Sequence, residues 1–124
     1  MNKWMITGAV LMSFAVIIGA FGAHSLKEKI TAEYLTVFET GVKYHFYHAL
    51  GMMIVSLSAF QFSTVSYHIP CILFLAGIIL FSGSLYVLSI TGIKWLGAIA
   101  PIGGVSFILG LLLTAYQLYQ GSTQ

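Results

Sequence analysis

The sequence predicts an all-α membrane protein: four transmembrane helices in a compact antiparallel bundle, with an amphipathic interfacial helix between the first two. Three observations carry this. Apolar residues make up 59% of the chain and charged residues 6%, against about 25% charged in ordinary soluble domains. Four mostly apolar, uncharged runs of roughly 20 residues, the length a helix needs to cross a ~30 Å hydrocarbon core, are separated by polar stretches. The one long polar stretch, 24–43, repeats its apolar residues at helical spacing. The 124 residues read as a single integral membrane domain.

The spans fall at about 4–23, 44–62, 69–90 and 95–118. Each is predicted helical because backbone groups in lipid must satisfy one another. The first follows Lys3 and has no charge; Ala20-Phe21-Gly22 resembles a leader cleavage site, but the apolar run exceeds the ~7–15 residues of a leader. The second opens on Tyr44, His45, Tyr47 and His48. The third opens with Pro70, tolerated in a first helical turn. The fourth contains Pro101 inside Ala100-Pro101-Ile102-Gly103-Gly104, which predicts a kink. Polar turns at 61–68 and 91–94 join spans two to three and three to four. Trp4, Tyr67, Trp95, Tyr116 and Tyr119 fall where an aromatic belt would place them.

Ser25-Leu26-Lys27-Glu28 has the spacing of a capping box. In the amphipathic helix, about 31–43, Tyr34, Leu35, Phe38 and Val42 form one face and Glu33, Thr36, Thr40 and Lys43 the other. It is predicted to lie on the membrane surface and then turn into span two. Lys27, Lys29, Lys43 and Lys94 in the first and third connections, against Lys3 at the N-terminus, place those connections in the cytoplasm and both termini outside.

Helices in lipid associate through small residues that let backbones approach. Gly8, Met12, Ala15, Gly19 and Gly22 form one stripe on span one; Gly83 on span three and Gly97 and Gly104 on span four are the corresponding candidates. An antiparallel arrangement brings nearly every remaining unusual residue into one half of the bundle. His24, Tyr44, His45, His48, Ser84, Tyr86 and Pro101 are the candidate polar pocket. His24 joins it only if helix one ends near Gly22, where glycines permit an end. Ser82 and Ser84 are expected to bond carbonyls one turn back, Cys71 to be a small packed residue and His68 a solvated loop residue.

Three readings of the histidines stay open: interfacial hydrogen bonding, a metal or haem site, and a proton-relay or small-molecule pocket. No carboxylate or cysteine completes a metal set, and no metal or cofactor is implied. The chain has no Asp, and Glu28, Glu33 and Glu39 all lie in the polar loop, so no catalytic triad or carboxylate pair can be assembled. A net charge of +2 with scattered lysines excludes nucleic-acid binding, and the lone Cys71 excludes an internal disulfide. Two functions follow. The first is an accessory or scaffold protein in the lipid bilayer, packing as a homo-oligomer or with an unidentified membrane partner. The alternative is a small-molecule or proton-handling protein using the polar pocket.

Four motifs carry a family resemblance: Gly19-Ala20-Phe21-Gly22-Ala23-His24 with Leu26-Lys27; Phe38-x-x-Gly41-x-x-Tyr44-x-x-Tyr47-His48-Ala49-Leu50; Phe81-Ser82-Gly83-Ser84-Leu85-Tyr86; and Trp95-Leu96-Gly97-x-x-x-Pro101-Ile102-Gly103-Gly104. In order and spacing the chain resembles the small bacterial inner-membrane family called domain of unknown function 423, or uncharacterised protein family 0382. Gly110-Leu111 departs from it, a Gly-Trp pair being expected there. The resemblance implies four membrane helices and a bacterial plasma-membrane location, and it implies no reaction, substrate or site.

Overall fold

The computed structural model describes residues 3–61 and 68–122. Most of these residues are helical, in four long segments: α1 (Lys3–Phe21), α2 (Ala32–Gln61), α3 (His68–Thr91) and α4 (Ala100–Ser122). A π-helical turn, Gly22–Leu26, follows α1; a second, Ile78–Ser82, lies within α3; a 3-10 turn, Lys94–Ala98, precedes α4. Tyr67 and the turn residues 62–67 lie outside the described residues.

The small residues of α1 face α2. A Cβ on Gly8 would fall 2.8 Å from the Ala49 carbonyl oxygen, one on Gly19 3.2 Å from Val42, and one on Gly22 2.3 Å from the Phe38 ring. Residue numbers rise on one helix as they fall on the other, so the pair is antiparallel. Ala15 is buried in the same contact face, while Val10, Phe14, Val16 and Ile17 point outward. Two further antiparallel contacts complete the bundle. Gly41 of α2 meets Tyr86 and Leu85 of α3, and Gly103 and Gly110 of α4 meet Phe81 and Phe74 of α3. Gly83, Gly97 and Gly104, expected from sequence at such contacts, have no atom closer than 3.8 Å to an added Cβ. The tight positions on α3 and α4 are instead Gly77, Gly103 and Gly110.

The amphipathic segment is not a separate helix. α2 runs unbroken for 30 residues, about 45 Å at the helical rise. Gly41, which could pass for a hinge, is instead a place of close approach to Tyr86. The apolar face of the segment is covered by protein: Phe38 is 1% exposed between Gly22 and the Tyr86 ring, and Tyr34 reaches Gly92. The capping box is also not used. The backbone N–H of Tyr34 donates to Thr31 Oγ1 at 3.2 Å, so Thr31 is the cap, and Ser25 lies in the π turn. Thr31→Ala should lower stability by about 1 kcal/mol, read as a shift in Tm in detergent, and Ser25→Ala should leave it unchanged.

Pro101 stands at the start of an α-helix and not in its interior. α4 begins at Ala100, so Pro101 sits in the first turn, where its missing N–H would have had no partner. The first turn is closed around it by Ile102 N–H and Gly103 N–H donating to the Ile99 carbonyl. Gly92, at φ 73°, adopts the left-handed conformation that ends α3 and reverses the chain.

Hydroxyls stitch the helices. Ser82 Oγ donates across to the Gly41 carbonyl at 2.7 Å, not one turn back as expected, and Ser106 Oγ donates to the Leu73 carbonyl at 2.6 Å. Such bonds within a membrane contribute ~0.6 kcal/mol each on average. Cys71 is fully buried beside Ser56 and the Met52 carbonyl. His68 accepts a hydrogen bond from Trp4 Nε1 at 2.9 Å and ties α1 to α3, so it is not a free loop residue.

Among the described residues three segments, Lys3–Leu26, His68–Thr91 and Lys94–Gly121, are long and apolar enough to cross a membrane. α2 is as long but carries Tyr44, His45, Tyr47 and His48 in its middle.

Candidate functional site

The seven residues expected to share one polar pocket are divided by the fold. His24 and Pro101 are exposed, and Ser84 turns back onto the Leu80 carbonyl. The other four form two sites on α2. Residues three apart on a helix point about 60° from one another, and here that angle sends His45 and His48 into different neighbours.

His45 is 4% exposed. Its Nδ1 lies 2.8 Å from the Tyr86 hydroxyl. Its Nε2 is buried without a partner in hydrogen-bonding geometry and comes near the Leu11 backbone of α1. This histidine joins α1, α2 and α3. Tyr86→Phe would strand Nδ1 in the interior and should cost about 1 kcal/mol, measured by unfolding in detergent.

His48 is 7% exposed and faces α3 and α4. Its ring stacks on Phe107, with centroids 3.6 Å apart and planes 7° from parallel, and it meets the Phe74 ring at 5.6 Å. Nδ1 is 2.8 Å from the Tyr44 carbonyl oxygen one turn back. A carbonyl only accepts, so Nδ1 carries the proton. Nε2 makes no hydrogen bond among the described residues.

Beside His48 is a cleft of about 330 Å³, lined by Tyr44, His48, Phe81, Gly104, Phe107, Ile108 and Leu111. Tyr44, Ile108 and Leu111 are exposed on the outer surface, so the cleft opens sideways between α2 and α4, not along the bundle axis. The π turn of α3 supplies Phe81, which meets Tyr44 edge-on at 5.0 Å. Tyr44 and His48 were legible as site residues. Phe81, Phe107, Ile108 and Leu111 were not, because nothing in their types separates a cleft wall from a lipid-facing position. The Phe81-Ser82-Gly83-Ser84 motif was the nearest signal.

A second recess, of about 270 Å³, lies between the end of α1 and the start of α2, with Gly19, Gly22, Phe38 and Val42 on its floor and Glu39 and Lys43 at its edge. Among the described residues no group of three His, Cys, Asp or Glu side chains is placed to hold a metal ion. His45 and His48 do not converge on one point.

Fold and site together define a small helical-bundle membrane protein with a lateral, aromatic-walled cleft lined by the His48 imidazole. The chain belongs to the family described as protein of unknown function DUF423, which matches residues 18–104. It is 50% identical to the UPF0382 membrane protein YwdK of Bacillus subtilis, over 91% of this chain and 93% of that one. It is 44% identical to a UPF0382 membrane protein of Staphylococcus saprophyticus, over 91% and 93%, and 43% identical to one of Staphylococcus haemolyticus, over 91% and 92%. No solved structure matches the chain.

Proposed function

We propose that this protein binds an apolar small molecule drawn from the bilayer, holding it in the cleft between α2 and α4. One observation carries the reading: a buried histidine with one nitrogen committed to the backbone and the other free lines a cleft that opens on the outer face of the bundle. Ligand pockets are typically apolar clefts with a few placed polar groups, and an ionisable residue inside a membrane is a functional candidate. Apart from the Tyr44 phenol, the described cleft lining supplies no acid or nucleophile beside His48, which favours binding over catalysis. The test is extraction. Protein purified in mild detergent should release a bound apolar molecule into organic solvent, and Gly104→Leu, whose side chain would enter the cleft beside Phe81, should release much less. Identical extracts from both, matching bulk membrane lipid, would overturn the reading.

In this reading α2 is the fourth span, over 44–61, because it packs antiparallel against both α1 and α3 along that length. The first and third connections share one end of the bundle, where Tyr34 lies 3.8 Å from the Cβ position of Gly92. Lys27, Lys29, Lys43 and Lys94 set that end in the cytoplasm of a bacterial cell, with the termini outside the plasma membrane. A reporter fused to the C-terminus should be active outside; cytoplasmic activity would reverse the orientation.

An accessory role, in which the chain packs with itself or with a larger membrane partner, is the second reading. Its support is the outer face of α1, where Ile6, Val16 and Ile17 are each about 60% exposed. The glycine stripe itself is occupied by α2. A strictly monomeric protein without a co-purifying partner would remove this reading.

A further inference from the structure

The hydrogen-bonding polarity of the cleft narrows what it can hold. We infer that the cleft takes a hydroxyl-bearing ring on an apolar tail, a phenol or hydroquinone, and discriminates against the corresponding carbonyl compound. The inference rests on the cleft reading above. It begins with the Tyr44 carbonyl, which fixes the proton of His48 on Nδ1. The ring lies among Phe74 and Phe107, with no carboxylate to compensate a charge there, and an unpaired imidazolium in such surroundings is costly. A neutral imidazole has a single N–H, so Nε2 presents a lone pair and only accepts. A ligand hydroxyl can donate to it. A carbonyl oxygen would face it lone pair to lone pair, and in the described lining only the Tyr44 hydroxyl could donate to such an oxygen.

The cleft walls suit the rest of such a molecule. Tyr44, Phe81 and Phe107 offer aromatic surface for a flat ring. Ile108 and Leu111, at 57% and 51% exposure, continue that surface outward along α4, where a tail would pass into the lipid. Phe107 covers one face of the His48 ring and the tilted Phe74 ring packs against it as well, so a ligand would meet the imidazole at its edge. Gly104 keeps the wall open beside Phe81.

The experiment uses the full chain in lipid nanodiscs and two probes, a decyl-substituted hydroquinone under reducing conditions and the matching benzoquinone. Binding is measured by equilibrium dialysis. The hydroquinone should bind about tenfold tighter or more, the difference one added hydrogen bond makes. His48→Phe keeps a ring against Phe107 and strands no group, since the Tyr44 carbonyl retains its helical N–H partner. This variant should keep its Tm and bind the two probes alike. Equal binding by the wild-type protein, or undiminished preference in the folded His48→Phe variant, would overturn donor selection while leaving the cleft reading intact. If neither probe binds and the extract of the wild-type protein holds no apolar molecule, both readings fall. If neither probe binds but the wild-type extract holds an apolar molecule that the extract of the cleft-filled variant lacks, the cleft stands and this ligand class is wrong.

Discussion

Gly103→Val should leave little folded protein. A Cβ at Gly103 would lie 2.4 Å from the Phe81 backbone nitrogen and 2.9 Å from the Leu80 carbonyl carbon. Both belong to the π turn of α3, and main chain cannot step aside as the tip of a side chain can. Overpacking that side chains absorb costs about 1–3 kcal/mol; here α4 would have to lift off α3, so the loss should exceed ~3 kcal/mol. Gly103→Ala should show the same defect in milder form. The control is Gly83→Ala, two residues beyond Phe81. Gly83 is helical, with φ −59°, and its added Cβ would meet nothing closer than 4.0 Å. That substitution should be neutral or stabilise by up to about 1 kcal/mol, as alanine does over glycine within a helix. Unfolding of the three variants by heat or denaturing detergent decides it. A normally stable Gly103→Val protein would mean that α4 does not sit on the π turn.

Phe107→Ala should cost about 3–5 kcal/mol, the range for removing a buried aromatic ring. Phe107 is 3% exposed, stacks on His48, and fills the space left by Gly77, whose Cβ position lies 2.4 Å from the ring. This one side chain therefore serves both the α3–α4 contact and the back of the cleft. Phe107→Leu should recover part of the stability and none of the ring stack. Gly77→Ala in the native background should be destabilising because its methyl would enter the Phe107 ring. Combined with Phe107→Leu it should cost less than the sum of the two, since the smaller side chain leaves room for the methyl. Strict additivity would show that the two positions do not touch.

What could be read from residues alone follows physical lines. The stripe from Gly8 to Gly22 was legible because close helix approach demands small side chains at a fixed period, and α2 lies on it. The apolar face of Tyr34, Leu35, Phe38 and Val42 was equally legible. Its cover was misread, because periodicity shows that a face is buried and not whether lipid or protein buries it. Pro101 was misread for a similar reason: a proline reports a missing donor, which suits a helix beginning as well as a bend. His48 could be singled out by type, and its free nitrogen could not, since that depends on the bond to Tyr44. The π turn at Ile78–Ser82 has no marker in Ile-Ile-Leu-Phe-Ser, yet it sets the direction of Phe81 and the seat of Gly103.

The continuity of α2 has a mechanical meaning. Phe38, clamped between Gly22 and Tyr86, and His48, on the cleft wall, are ten residues apart on one rod, about 15 Å along its axis. No joint separates them. The packing around Phe38 and the wall of the cleft therefore belong to one rigid element, and a displacement of either end of it reaches the other through continuous helix.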